Sequence, residues 1–299
     1  MAKTPFSAKK HDINTLNSGY QYTTDDQMSI EALNNTIENS FYASDIAEDV
    51  AEQLSNLGTG EKIEFKGSNP NLLINGDFKV NQRGAYGTQS GNNKYPVDRW
   101  KTAAVNAFCT TNIDTNGSVE SVTVGITDVT VASGRVALAY SFEDKDFKKL
   151  LCKKVTLSVN YEELNADVTN SVRIRYDSGV DNGAKVLNET SGTAVLTFTV
   201  NPNATKLVIQ IAGTTEALNY SLKVNWVKLE LGNIATAFSP KNYAEEITNC
   251  MRYYQIRSND YTFPSNVIDC AIPMYKEYTR GTTTINGTTY KYIDAEVHK

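Results

Sequence analysis

The spacing of hydrophobic residues divides the chain into a helical part and a strand-rich part. After about residue 71, apolar side chains recur at every second position, the pattern of strands with one buried and one polar face. The clearest runs are residues 155–161, 172–176, 196–200, 207–211 and 222–226. Turn sequences such as Asn116-Gly117 and Asn201-Pro202 separate such runs. The pattern predicts a mainly β fold, an antiparallel jelly-roll-like β-sandwich of roughly eight to ten strands over residues 71–240.

Three local features refine this prediction. The alternation changes parity at Val227, which predicts a β-bulge. Residues 243–256 carry apolar positions at helical spacing and are predicted to form a helix. Residues 267–272 and 290–297 are predicted strands, joined by a segment that includes the turn-rich residues 279–288. Region 241–299 is therefore expected to complete the sandwich or to form a small hairpin on it.

The N-terminal part follows a different period. Residues 1–24 are polar and aperiodic, as expected of an extended arm, and residues 61–70 form a linker containing Gly67 and Pro70. Residues 25–60 are predicted to form a short, coiled-coil-like helical stalk. Its apolar stripe, the candidate oligomerisation surface, consists of Ile30, Leu33, Ile37, Ile46, Val50, Leu54 and Leu57. Packing within one chain and association between copies are equally compatible with this stripe.

Composition limits the function classes. Residues 1–68 carry five basic and 11 acidic residues, whereas the remainder carries 24 and 23. No long basic run is present, which argues against a nucleic-acid partner. No segment has the length of apolar sequence needed for a membrane span or a secretory signal. The cysteines lack metal-site spacing and are expected to be buried thiols of a protein folded in a reducing cytosol: Cys109, Cys152, Cys250 and Cys270.

The residues offer little catalytic chemistry. The chain has two histidines, His11 and His298, at its two ends, so the region between them cannot supply a histidine-dependent catalytic or zinc site. Paired carboxylates remain an alternative, with Asp77, Asp98, Glu162 and Glu163 as candidates, but two adjacent strand residues share a face only at a bulge. The segment 177–183 departs from a calcium-loop pattern and is interpreted as a hairpin turn. We expect no cofactor and no metal.

Sugar rings stack on exposed aromatic side chains, and the sequence supplies weak candidates for such contacts. They are Tyr253, Tyr254, Tyr275, Tyr278, Tyr290 and Tyr292. Each such tyrosine is more often an ordinary strand packing residue.

Two groups of motifs frame the strand-rich region. The opening motifs occupy residues 71–78, 81–84 and 95–100, and the closing motifs occupy residues 227–232, 235–238, 243–247 and 250–254. Together they resemble a β-sandwich module found in bacteriophage tail and fibre proteins. Asn75-Gly76 is suited to a tight reversal, Trp100 to a core anchor, and Asp98-Arg99 to an ion pair. We interpret the signature residues as scaffold rather than ligand contacts: Asn75, Gly76, Asp77, Phe78, Arg83, Asp98, Arg99 and Trp100.

The resemblance implies a non-enzymatic virion structural protein, a fibre or appendage subunit of the head or tail. Such a subunit would assemble in the host cytoplasm, form a homotrimer, attach to capsid or tail proteins through its N-terminal arm, and possess no membrane or nucleic-acid partner. Its sandwich could adsorb to host surface glycans. Two alternatives remain open at this point, a dedicated receptor- or carbohydrate-binding tip and, less favoured, a polysaccharide depolymerase.

Overall fold

The structure is a computed structural model, and it describes residues 68–84, 87–103, 106–126, 136–166, 172–213, 219–264, 270 and 272–296. The chain divides into two compact units, Met1–Phe65 and Lys66–Lys299. The described residues all belong to the second unit. The predicted arm, the stalk with all seven stripe residues, and most of the linker lie outside them.

The strands of the described residues, in chain order, are β1 Gly87–Ser90, β2 Trp100–Ala103, β3 Ala107–Ile113, β4 Val119–Ile126, β5 Val136–Ser141, β6 Lys154–Ala166, β7 Val172–Asp177, β8 Asn182–Val186, β9 Gly192–Thr199, β10 Val208–Gly213, β11 Tyr220–Leu231, β12 Tyr254–Ser258, β13 Thr279–Ile285 and β14 Thr288–Asp294. Helix α1 is the single turn Asp144–Phe147, continued by a 3₁₀ turn at Lys148–Leu150, and α2 is Tyr243–Met251.

The order of strands defines a jelly roll. One sheet has the order β1-β3-β4-β11-β6-β9 and the other β2-β5-β10-β7-β8. The pairs β7–β8, β6–β9, β5–β10 and β4–β11 are all antiparallel and nested about the β7–β8 connection. Folding such a nested ribbon over itself places alternate pairs in two facing sheets, which is the jelly-roll topology. The predicted fold class is therefore confirmed, with β1, β2 and β3 added at the sheet edges.

The core lies between these two sheets, where the alternating residues meet. On β6, Val155, Leu157 and Val159 are fully buried, as are Ile174 on β7 and Ile211 on β10. The register of β11 against β6 shifts between Val224 and Trp226. This irregularity confirms the predicted bulge, because it returns the next apolar residues to the core face.

The C-terminal region differs from its prediction. Helix α2 ends at Met251, and residues 254–258 form β12 instead of its continuation. Pairing with β14, distant in sequence, overrides the local helical spacing. Residues 279–285 are also a strand, and the turn is confined to Asn286-Gly287, where both residues have positive φ.

The C-terminal strands form a separate sheet, ordered β12-β14-β13, instead of extending either sheet of the sandwich. It has its own apolar cluster, which includes Phe263, Met274 and Ile293. Of the predicted strand at 267–272, residues 267–269 and 271 lie outside the described residues, and Cys270 and Ile272 are not in a strand.

The four cysteines form no disulfide bonds, but one of them contradicts its prediction. Cys109, Cys250 and Cys270 are buried, whereas Cys152 is exposed. Cys152 has a φ of 61° and lies in the exposed turn between the 3₁₀ segment and β6. Local turn geometry therefore outweighs the general tendency of cysteine to be buried.

Candidate functional site

The opening motif forms a buried turn. Asn75 has a φ of 57°, and its side-chain amide donates to the carbonyls of Val80 and Asp98, both at 2.9 Å. The indole Nε1 of Trp100 donates to the carbonyl of Asn75 at 2.8 Å. A Cβ on Gly76 would lie 2.4 Å from the carbonyl oxygen of Val227, so the close approach of β11 requires glycine there.

The closing motif covers the outer face of β11. Trp226, Lys228 and Glu230 share this face, opposite the core residues Val227 and Leu229. Lys228 and Glu230 are almost fully buried, and their Nζ and Oε2 atoms are 3.3 Å apart. The following segment folds back over them: the Lys228 ammonium donates to the carbonyl of Ala237 at 2.9 Å, and Phe238 stacks on Trp226 at 4.7 Å between ring centroids.

Two arginines of the opening motif hold the C-terminal sheet against the sandwich. Arg83 donates to Asp294 at 3.0 Å, and its guanidinium lies 3.8 Å from the ring centroid of Tyr254. Arg99 pairs with Glu296 and lies 3.7 Å from the ring centroid of Tyr253. All these partners belong to the region after residue 250, so the arginines fix its position.

The expected ion pair between Asp98 and Arg99 does not form. Arg99 has a φ of 71°, and its side chain reaches Glu296 instead. Asp98 is fully buried and accepts from Gln82 Nε2 at 2.7 Å. Burial raises the pKa of Asp98 to about 7, against the opposing effects of Arg83 and of the Gln82 hydrogen bond.

A groove of about 720 Å³ opens where the sandwich meets the C-terminal sheet. The turn after β5 and the edge of the C-terminal sheet supply its lining, which consists of Phe142, Glu143, Asp144, Lys145, Tyr275, Lys276, Glu277, Thr279, Asp294, Ala295 and Glu296. Because Arg83 and Arg99 fix the C-terminal sheet, the two walls of the groove are held at a set distance.

Glu143 is the unusual residue of this groove. It is 6% exposed, yet its Oε1 atom has no hydrogen-bond partner among the described residues. The other carboxylate oxygen, Oε2, lies 3.6 Å from the ammonium of Lys276. The residue precedes α1, where its backbone carbonyl, not its carboxylate, accepts from Asp146 at 2.9 Å. The carboxylate therefore makes no capping hydrogen bond to α1, and Oε1 remains a buried acceptor without a partner among the described residues.

Burial raises the pKa of Glu143 above the ordinary value of a glutamate, and the positive charges of Lys276 and Arg99 oppose that rise. A buried acceptor without a partner is costly, and a ligand that donates a hydrogen bond to Oε1 would remove this cost.

Tyr275 supplies an aromatic wall of the groove. Its ring stacks on Tyr253 at 5.3 Å between centroids, and its hydroxyl accepts from the backbone N–H of Lys145 at 3.1 Å. Its backbone N–H donates to the carbonyl of Arg252 at 2.8 Å. The ring is half-buried and fixed at both ends, which suits it to pack against a rigid ligand.

A second cavity of about 340 Å³ adjoins the groove and shares Phe142 and Glu143 with it. Its other lining residues are largely apolar: Leu72, Ile74, Tyr140, Leu150 and Leu231, with Asp146, Lys149 and Lys153. Glu143 thus stands between a polar groove and an apolar cavity.

Only some of the residues singled out in the sequence lie at the groove. The scaffold signature residues are buried or half-buried, and none of them lines the groove. Of the aromatic candidates, Tyr275 lines the groove, whereas Tyr253 and Tyr254 are buried. Glu162 pairs with Lys223 at 2.8 Å, and its neighbour Glu163 has a φ of 58° beside a register shift, so a bulge does occur there.

Sequence reasoning did not identify Phe142 or Glu143. No motif in the sequence marks them. The predicted hairpin at 177–183 is confirmed by the antiparallel pairing of β7 with β8. Within the described ranges, no cluster of three or more acids, cysteines or histidines is arranged to hold a metal ion, and no helix there has the length and hydrophobicity of a membrane span.

No family model matches the chain, and no curated protein sequence matches it. Among solved structures, the CBM22-1 xylan-binding domain of Paenibacillus barcinonensis Xyn10C is 10% identical, with a TM-score of 0.34 over 56% of this chain and 98% of that one.

The CBM22-1–GH10 modules of Clostridium thermocellum xylanase 10B, in complex with xylohexaose, are 12% identical, with a TM-score of 0.34 over 58% of this chain. This chain spans 30% of that xylanase chain. At such TM-scores the likenesses carry no argument about function, and the jelly-roll assignment rests on the strand order described above.

Proposed function

We propose that this chain is a non-enzymatic carbohydrate-binding protein, which holds a glycan in the groove between its jelly roll and its C-terminal sheet. The observation that carries the proposal is the buried, unpartnered Oε1 of Glu143, a residue that lines a groove of about 720 Å³. Sugars are dense in hydroxyl donors, and a carboxylate acceptor combined with an aromatic wall is a common way to bind them. Tyr275 supplies that wall.

The rigidity of the groove supports binding. Arg83 and Arg99 hold the C-terminal wall through buried or half-buried ion pairs, so the walls need little ordering when a ligand enters. Open grooves of this type accept one stretch of a longer polymer, whereas enclosed cavities accept small free ligands.

The test is binding of the full chain to a panel of soluble glycans, followed by calorimetric titration of the glycans retained. Glu143→Gln should weaken binding by about tenfold or more, because a hydrogen bond to a charged acceptor is replaced by a neutral one. Glu245→Gln, a matched change at an exposed position of α2, should leave affinity unchanged. Equal affinities for wild type and Glu143→Gln would refute the proposed site.

Enzymatic cleavage is a separate outcome of the same titration. Binding without cleavage predicts that the retained glycan keeps its length after prolonged incubation with the protein. Release of reducing ends that is abolished by a single Asp or Glu substitution would instead favour a depolymerase.

We further propose that the chain is a bacteriophage appendage subunit, on the head or tail of the virion, with the groove exposed to host glycans. The convergence of the two motif groups supports this proposal. The Asn71 amide, in the opening motif, donates to the carbonyl of Val227, in the closing motif, at 2.9 Å. The motifs that resemble the phage module therefore act as one structural unit.

Immunogold electron microscopy of purified particles tests the placement, and labelling of no appendage would refute it. Sedimentation tests the expected homotrimer. Changing Ile30, Leu33 and Ile37 together to Ser should convert it to monomers, and an unchanged sedimentation coefficient would refute the role of that stripe.

A further inference from the structure

We propose that the groove and the adjoining apolar cavity together select an N-acylated amino sugar, whose amide N–H donates to Glu143 while its acyl group enters the cavity. This inference rests on the proposed glycan binding and names the class of sugar.

The first requirement comes from Glu143. Its free atom is an acceptor, so the complementary ligand group at this point must be a donor. A sugar hydroxyl and an amide N–H both meet this requirement, whereas an ether oxygen or a carboxylate does not.

The second requirement comes from the cavity beside that donor. Phe142 and Glu143 line both spaces, so a group attached next to the donor is directed towards Leu72, Ile74 and Leu231. A hydroxyl or ammonium group packed against these three apolar side chains would lose hydration without gaining a partner from them, which is unfavourable. An acyl group bears its apolar part directly beside an N–H donor, and a volume of about 340 Å³ accommodates it.

The third requirement comes from charge. The groove lining contains five acids and two lysines: Glu143, Asp144, Glu277, Asp294 and Glu296, with Lys145 and Lys276. Arg83 and Arg99 neutralise Asp294 and Glu296, and Lys276 already faces Glu143. The lining charges that remain are Lys145 against Asp144 and Glu277, a net negative balance, so uronic and sialic acids are disfavoured.

Three β-linked tetrasaccharides test this selectivity, because they differ only in one ring substituent. Chitin, cellulose and chitosan oligomers carry an acetamido, a hydroxyl and an ammonium group, respectively, at the same carbon. Titration of the full chain should give the tightest binding for the chitin oligomer, by roughly fourfold or more over the cellulose oligomer, from burial of one methyl group. Equal affinities, or tightest binding of chitosan, would overturn the inference.

A variant assigns the preference to the cavity. Leu231 lines it but is 47% exposed, so Leu231→Glu introduces a charge there without disturbing the core. The ratio of affinities for the chitin and cellulose oligomers should fall to about one. A preference unchanged in Leu231→Glu would overturn the assignment.

Failure of the acyl-sugar inference can be distinguished from failure of the proposed glycan binding. Binding of other panel glycans in a Glu143-dependent manner, with none of the three oligomers bound, would overturn the acyl selectivity and leave the proposed function standing. Failure of every panel glycan to bind would refute the proposed function itself.

Discussion

The burial of Asp98 makes the stability of the protein depend on pH in a defined direction. Asp98 is fully buried, its Oδ2 accepts from Gln82, and its Oδ1 has no hydrogen-bond partner in the part of the chain that the structure describes. Its pKa is raised from 3.8 to about 7, chiefly by desolvation. Between these two pH values the folded state binds a proton that the unfolded state has released, so the free energy of unfolding falls as pH rises.

The size of the effect follows from the two pKa values. The difference between the folded-state and unfolded-state pKa of Asp98 corresponds to about 4 kcal/mol in the free energy of unfolding. About 3 kcal/mol of this contribution is lost between pH 5 and pH 8. By about one pH unit above 7 the loss is nearly complete, because Asp98 is then ionised in both states.

Asp98→Asn removes this contribution, since the amide is neutral at every pH and still accepts from Gln82. Urea unfolding of wild type and variant at pH 5, 6, 7 and 8 gives the difference between their free energies of unfolding. We expect the difference to change by about 3 kcal/mol in favour of the variant across this range. The buried amide NH₂ group of the variant has no partner, which lowers its stability by the same amount at all four pH values. This cost therefore does not affect the change of the difference with pH.

The matched control is Glu245→Gln, at an exposed position of α2, which should follow the wild-type curve in parallel. Parallel curves for wild type and Asp98→Asn would refute the assignment of the pH dependence to Asp98.

Three further predictions concern the scaffold. Glu230→Gln leaves the ammonium of Lys228 buried without its counter-ion and should cost about 3–5 kcal/mol in the free energy of unfolding, measured with denaturant; a loss within error would contradict a buried pair. Gly76→Ala forces a methyl against the backbone of β11 and should lower the melting temperature, whereas a wild-type melting temperature would contradict that close approach. A thiol reagent should label Cys152 in the native protein and Cys109 only after unfolding, and equal native rates would contradict the burial difference.

The alternating pattern was sufficient to predict the sandwich, because a strand with one buried face must carry apolar residues at every second position. Val155, Leu157 and Val159 follow this rule, and the change of parity at Val227 identified the bulge. Alternation cannot reveal a second buried layer. Lys228 lies on the polar face of β11 and is buried only because the segment after Gly232 folds back over it.

The C-terminal region shows a second limit. Residues 252–256 are compatible with both helical and strand spacing, and pairing with β14 decides between them. The groove shows a third limit, since its walls come from residues 142–145 and 275–296, which are far apart in sequence. Glu143 has no motif, and its importance follows from its burial and its missing partner, which depend on the folded chain.

A structure of the full chain with a bound oligosaccharide from the glycan panel tests the central claim most directly. We expect an N–H or O–H group of the sugar within hydrogen-bond distance of Glu143 Oε1, with a sugar ring against Tyr275. A sugar bound instead at another surface, such as the concave region formed by Tyr261, Arg280 and Lys291, with the groove at Glu143 empty, would contradict it.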